Sequence, residues 1–116
     1  MEIETFKATH PFFSRKDLAD RVLQRFHDRV PVYLGRHPTC TIELENYKYL
    51  APVELTLNQM RLKLKYRKDL APDRTLFFYS KERLMPIERT LREIYDQYKD
   101  DDGFLNLVYC DESVMG

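Results

Sequence analysis

Near the end of the chain, Phe104-Leu105-Asn106-Leu107-Val108-Tyr109-Cys110 constrains the fold more than any other stretch. It is apolar on both alternating faces except at Asn106, which suits a strand buried in the middle of a sheet better than one half exposed to water. After Cys110 the character changes. Asp111, Glu112 and Ser113 do not extend such a core, so the chain is expected to leave the sheet there as a short mobile tail ending in Gly116. A buried strand running into such a tail would hold a glycine carboxylate away from the fold, where another protein's active site could take it. Lacking a Cβ, glycine lets its carbonyl enter a narrow slot. Taken alone the glycine is weak evidence, because average usage places one last about once in fourteen chains.

The 116 residues suit one domain with a single core. Nineteen basic and nineteen acidic residues cancel, which argues against binding nucleic acid or an anionic membrane through net charge. The longest apolar runs, Leu76 to Tyr79 and Leu107 to Cys110, are too short to span a bilayer or to serve as a secretion signal. A soluble, cytosolic protein is expected, with Cys40 and Cys110 as free thiols.

His10-Pro11 discourages helix at His10 and permits one just after it. Ser14 and Asp17 resemble a cap and a first-turn acid, and Leu18, Val22 and Phe26 form an apolar stripe, so a helix is predicted from about Arg15 to Phe26. Val30 to Leu34 reads as a strand, and Tyr49 to Pro52 as a second one that Pro52 confines to a sheet edge or terminates. An edge is a place for another chain to pair. Thr56-Leu57-Asn58-Gln59 matches a capping box before Leu57, Met60 and Leu64, although Arg61 to Arg67 also alternates with the period of a strand; helix is favoured. Leu76 to Tyr79 reads as a buried strand. A second capping box, Thr90 to Glu93, precedes Leu91, Ile94, Tyr95 and Tyr98 at helical spacing. The order is mixed α+β with a central last strand, and it suggests a β-grasp.

Read together, His10-Pro11-Phe12, Asp28-Arg29-Val30-Pro31-Val32, Lys48-Tyr49-Leu50, Pro52, Leu76-Phe77-Phe78, Ile94-Tyr95 and Asp111-Glu112-Ser113-Val114 resemble the autophagy ubiquitin-like modifier family. The resemblance covers essentially the whole chain and is nearest the branch of the GABA type A receptor-associated protein, with microtubule-associated protein light chain 3 more distant. It implies a ubiquitin-like β-grasp with two additional N-terminal helices: a helical extension over residues 1–27, a core over 28–110 and a flexible tail over 111–116. It also implies activation of Gly116 as a thioester by E1-like and E2-like enzymes, and processing and deconjugation by a cysteine protease. The glycine would then be joined to phosphatidylethanolamine, giving a cytoplasmic pool and a lipid-anchored pool on autophagosomal or other vesicle membranes. No cofactor and no catalytic residue of the chain's own are implied, since the activating thiols belong to the conjugating enzymes.

The same resemblance implies docking of receptors and adaptors through short aromatic-x-x-aliphatic motifs that add a strand to the sheet edge. Its aromatic pocket corresponds to Val22, Pro31, Lys48, Leu50 and Phe104, and its aliphatic pocket to Tyr49, Ala51, Pro52, Leu55, Met60 and Lys63. Arg29, Lys48, Lys65 and Arg67 correspond to contacts for acidic flanks. The chain departs from the family pattern at Leu18, a usually acidic position, at Asn46-Tyr47, and at Ala51, Met60 and Lys63. Met115 stands where an aromatic residue normally precedes the glycine. The aliphatic pocket is therefore expected to be shallower, more adaptable or changed in preference.

Two rival readings stand beside this one. The first is a non-conjugated β-grasp adaptor in vesicle trafficking that keeps only the peptide groove. The second is a thiol enzyme using Cys110, opposed by its expected place in a central strand. His37 and Cys40 have a spacing compatible with metal ligands, but no second close pair completes a site. His10 and His27 read as structural, and Asp100 to Asp102 as a solvated loop.

Overall fold

The computed structural model describes residues 2–67 and 75–111. Five strands form one sheet: β1 (Arg29–Arg36), β2 (Lys48–Pro52), β3 (Leu76–Ser80), β4 (Arg83–Leu84) and β5 (Leu105–Asp111). Among the described residues four α-helices accompany them: α1 (Ile3–Thr9), α2 (Phe12–Arg25), α3 (Leu57–Leu62) and α4 (Leu91–Tyr98). The strand order is β2-β1-β5-β3-β4, so the doubly apolar strand read from the sequence is the central one. It runs parallel to β1 and antiparallel to β3, and of its residues only Val108 is half-buried.

One boundary needs correction. Asp111 does not leave the sheet; it is fully buried and pairs in register with Leu76. Backbone ladder bonds, not side-chain polarity, decide where this strand stops. The flexible tail expected over the remaining residues, with Met115 and Gly116, lies outside the described residues.

The main core lies between the sheet and the helices α3 and α4, around Val30, Val32, Leu57, Met60, Ile94, Leu105 and Leu107. A second, smaller cluster of Phe6, Ala19, Tyr33 and Phe104 sits beneath the N-terminal helices. Helix α2 starts earlier than its sequence suggests. Pro11 occupies the cap position, where its missing N–H costs nothing, and Ser14 lies inside the helix. Its inward face is also rotated: Ala19 is fully buried, whereas Leu18 is exposed.

Two contacts account for the rotation. The Arg15 guanidinium donates to the Asp102 carboxylate at 2.6 Å, with both side chains largely shielded from solvent. Gly103, at φ +86°, passes so close to α2 that a Cβ on it would lie 2.8 Å from Ala19 Cβ. A charge pair and a close backbone approach thus set the helix face, overriding the apolar stripe. Of the run Asp100 to Asp102, expected to be a solvated loop, Asp101 is exposed but the other two are drawn into contacts. Asp102 is buried and also accepts the Phe104 N–H, while Asp100 lies within ion-pair distance of Lys7 and Lys81.

At α3 both halves of the Thr56/Gln59 capping box form. The helix ends at Leu62, before Leu64, which is nonetheless buried. Beyond it the alternating stretch makes an isolated bridge and no named strand: Tyr66 bridges Leu44, and Glu45 N–H donates to the Lys65 carbonyl at 2.9 Å. Thr90 caps α4 by accepting from the Glu93 N–H, and Leu91, Ile94 and Tyr95 are buried beneath it, with Tyr98 half-buried.

Candidate functional site

Strand β2 lies at the edge of the sheet, and hydrogen bonds at its two ends fix which of its backbone groups face outward. Leu34 N–H donates to the Tyr47 carbonyl at 2.7 Å, and Val53 N–H to the Asp28 carbonyl at 2.9 Å. Antiparallel pairs alternate between bonded and non-bonded partners. With Val32 opposite Tyr49 and Val30 opposite Ala51, those two residues of β2 point their backbone groups at β1. Lys48 and Leu50 therefore present theirs to the open edge. Pro31, opposite Leu50, sits in a non-bonded pair where no N–H is required, and the ladder to β5 begins one residue later at Val32. Pro52 closes the strand and offers no donor, and its carbonyl accepts the Leu55 N–H.

Side chains alternate across the same strand. Lys48 and Leu50 face the side of the N-terminal helices, with the Lys48 ammonium 5.4 Å from the centre of the Phe6 ring. Pro31 shares that side, buried. Val22 on α2 and Leu50 are apolar, half-buried, and members of neither core cluster. Phe104 closes the back of this side and is almost wholly covered. Pro31, Lys48, Leu50 and Phe104, assigned to the aromatic pocket, thus lie on this side of the sheet, and Val22 comes from α2, which packs against β1.

Of the other group, Tyr49 and Ala51 point to the opposite face, whereas Pro52, two residues beyond Leu50, shares the face of Lys48 and Leu50. Ala51 and Met60 belong to the main core, and Tyr49 and Leu55 pack against it half-buried. Lys63 caps the C-terminus of α3, exposed at the rim, and Pro52 is half-buried at the end of the strand. Burial, with the nearby charge of Glu45 and then Tyr66, pushes the Tyr49 hydroxyl up to about 12, so it stays a neutral donor, here to the Asn46 carbonyl at 2.7 Å. Beyond the pockets, Lys63, Lys65 and Arg67 are exposed and have no ion-pair partner among the described residues. Arg29 reaches the Leu50 carbonyl at 3.4 Å.

Sequence reasoning did not single out Phe6 or Tyr33, and marked Tyr47 only as a departure from the family pattern; the three crowd the inner side of the first pocket. The signal was available for Tyr33, two residues from Pro31 and therefore on the same face of β1. Phe6 gave no such signal, since its place depends on how α1 docks.

The thiols do not build a catalytic centre. Cys40 and Cys110 are buried and free, and burial pushes both thiols above their ordinary range. The groups acting on Cys110 are Cys40, Asp111 and Tyr79, with no histidine among them. Among the described residues no three His, Cys, Asp or Glu side chains gather to hold a metal, and His37 Nδ1 instead contacts the Thr39 hydroxyl at 2.8 Å. No helix among them is long and apolar enough to cross a membrane.

A mixed sheet centred on a parallel β1/β5 pair, two crossing helices, two further helices at the N-terminus and a β2 edge that no other described strand pairs define a ubiquitin-like domain. The family model described as "Autophagy protein Atg8 ubiquitin like" matches residues 14–116. The chain belongs to this Atg8 ubiquitin-like family of autophagy modifiers. It is 37% identical over 112 residues to the Autophagy-related protein 8 of Coccidioides immitis, covering 96% of each chain. The protein of the same description from Lodderomyces elongisporus is 38% identical over 112 residues, covering 96% of this chain and 77% of that one. The crystal structure of Trypanosoma brucei ATG8 superposes with a TM-score of 0.80 at 34% identity, covering 92% of this chain and 93% of that one. Plasmodium falciparum Atg8, solved in complex with a Plasmodium falciparum Atg3 peptide, shares the fold, with a TM-score of 0.75 at 18% identity over 91% of this chain and 97% of that one. These relatives identify the family and not a branch within it.

Proposed function

We propose that this chain is an autophagy modifier joined through Gly116 to phosphatidylethanolamine, and that it recruits receptors and adaptors by strand addition along β2. The observation that carries the docking half is the edge itself. Lys48 and Leu50 turn their backbone groups outward, with their own side chains on one face of the strand and those of Tyr49 and Ala51 on the other. A peptide extended along that edge points residues an odd number apart to opposite faces. An aromatic residue and an aliphatic residue three positions later therefore reach the two faces at once, while main-chain bonds to Lys48 and Leu50 supply register. The exposed Lys63, Lys65 and Arg67 favour acidic flanks, each exposed pair contributing about 0–1 kcal/mol.

Conjugation is supported by family membership and by the position of Gly116, five residues beyond the last residue of the central strand. E1-like and E2-like enzymes would carry its carbonyl as a thioester, and a cysteine protease would process and release it. The Atg3 peptide held by the Plasmodium falciparum relative accords with a conjugation partner of this kind. Phosphatidylethanolamine brings two acyl chains, enough for stable anchoring where one is marginal, so a cytoplasmic pool and a vesicle-bound pool follow.

Backbone hydrogen exchange with a synthetic Trp-x-x-Leu peptide carrying acidic flanks tests the docking geometry. The Lys48 and Leu50 amides should gain protection, with little change at Tyr49 and Ala51, already bonded to β1. Protection gained elsewhere, with Lys48 and Leu50 unchanged, would rule out strand addition at this edge.

A further inference from the structure

The aromatic side of the groove already contains an aromatic ring from the chain's own N-terminus. Phe6 is buried, although its described neighbours on α1, Thr5, Lys7, Ala8 and Thr9, are exposed. Its ring stacks on Tyr33 at 3.9 Å between centroids and meets Phe104 edge-on at 5.7 Å. Lys48 Nζ lies 5.4 Å from the centre of the same ring. Phe104 and Lys48 are two of the five residues assigned to the aromatic pocket. Phe104 is only 2% exposed, so an incoming side chain meets it only after part of its cover leaves. A seven-residue helix is not stable by itself and persists through its docking. Here the docking rests on Phe6, with the Lys7–Asp100 ion pair at 3.7 Å beside it.

We propose that Phe6 is an internal occupant of the inner wall of the aromatic pocket, and that seating of α1 and entry of a motif's aromatic ring to Phe104 exclude one another. The inference rests on the docking reading above and adds a regulatory element to it. The ligand chemistry is displayed by Phe6 itself: a flat ring stacked on a tyrosine, edged by a phenylalanine and faced by an ammonium. Lys48 serves one ring at a time across a given face. Binding is then reciprocal: a peptide releases α1, and whatever releases α1 raises peptide affinity.

The test titrates the synthetic Trp-x-x-Leu peptide into the full chain and into its Phe6→Ala and Lys7→Glu variants, with folding of each checked by circular dichroism. Hydrogen exchange at the α1 amides is followed in the unsubstituted chain, so the outcome does not depend on Phe6→Ala folding. The expected result is about fivefold tighter binding or more for Phe6→Ala, a smaller gain for Lys7→Glu, and faster exchange at the Phe6 and His10 amides once peptide is bound. Binding by the unsubstituted chain with α1 exchange unchanged, and with equal or weaker binding by folded variants, overturns the exclusion and leaves the groove standing. Failure of every folded form to bind removes the groove, and the proposal with it.

Discussion

Replacing Asp102 by Asn isolates the contact that fixes α2 over the groove. The substitution keeps the shape and an oxygen for the Phe104 N–H, 2.9 Å away, but removes the charge facing Arg15 at 2.6 Å. Breaking a buried pair by removing one partner costs about 3–5 kcal/mol, because the surviving charge stays uncompensated. Arg15 keeps some relief here: its side chain is 11% exposed, and its Nε still donates to the His10 carbonyl at 2.8 Å. The expected loss is therefore about 2–3 kcal/mol, below the full range, which for a domain of this size lowers Tm by roughly 10 °C. Urea denaturation should show a lower midpoint with an unchanged slope. A double-mutant cycle with Arg15→Met should return a coupling within about 0.5–3 kcal/mol. Peptide affinity should fall as well, since Val22 is positioned by the same helix. A loss below about 0.5 kcal/mol, the ordinary scale of a surface substitution, would refute the assignment of the helix face to this pair.

Three further outcomes follow from local geometry. Gly103→Ala should destabilise by about 2 kcal/mol in the same denaturation assay, combining an unfavourable positive φ with a Cβ driven against Ala19. Lys81 and Glu82 turn the β3–β4 hairpin at φ 50° and 67°, so Lys81→Asn with Glu82→Gly should stabilise the chain by about 1 kcal/mol, read as a higher urea midpoint. Burial holds Tyr49 and Tyr109 up to about 12 and raises both cysteines. The folded state then keeps protons that the unfolded state releases near pH 9–10. Stability from these groups is full below about pH 9 and declines toward pH 12, so the urea midpoint at pH 10.5 should lie below that at pH 8.

Much of this architecture was legible because it rests on local patterns. The apolarity of Leu105 to Cys110 on both faces, interrupted only by Asn106, marks a central strand, Pro52 marks an edge, and Thr56 and Thr90 mark two helix starts. What escaped depends on pairings distant in sequence. Arg15 finds Asp102 across 87 positions, which turned α2 away from its Leu18 stripe and drew the last residue of an acidic run into the interior. Asp111 looked like the beginning of a tail, yet ladder bonding opposite Leu76 keeps it in the sheet. The pocket residues came from resemblance, and their distribution over two faces of β2 follows from register, which no single segment encodes. Phe6 had no periodic signal at all.

The central claim is that other enzymes carry this chain through Gly116 and attach it to lipid. Intact-mass measurement after incubation with the matching E1-like and E2-like enzymes, ATP and phosphatidylethanolamine liposomes tests it most directly. The account predicts a thioester on the E2-like enzyme, then a product heavier than the free chain by one phosphatidylethanolamine less one water, both absent for Gly116→Ala. An unmodified mass for the wild-type chain, under conditions that lipidate a related family member, would contradict it.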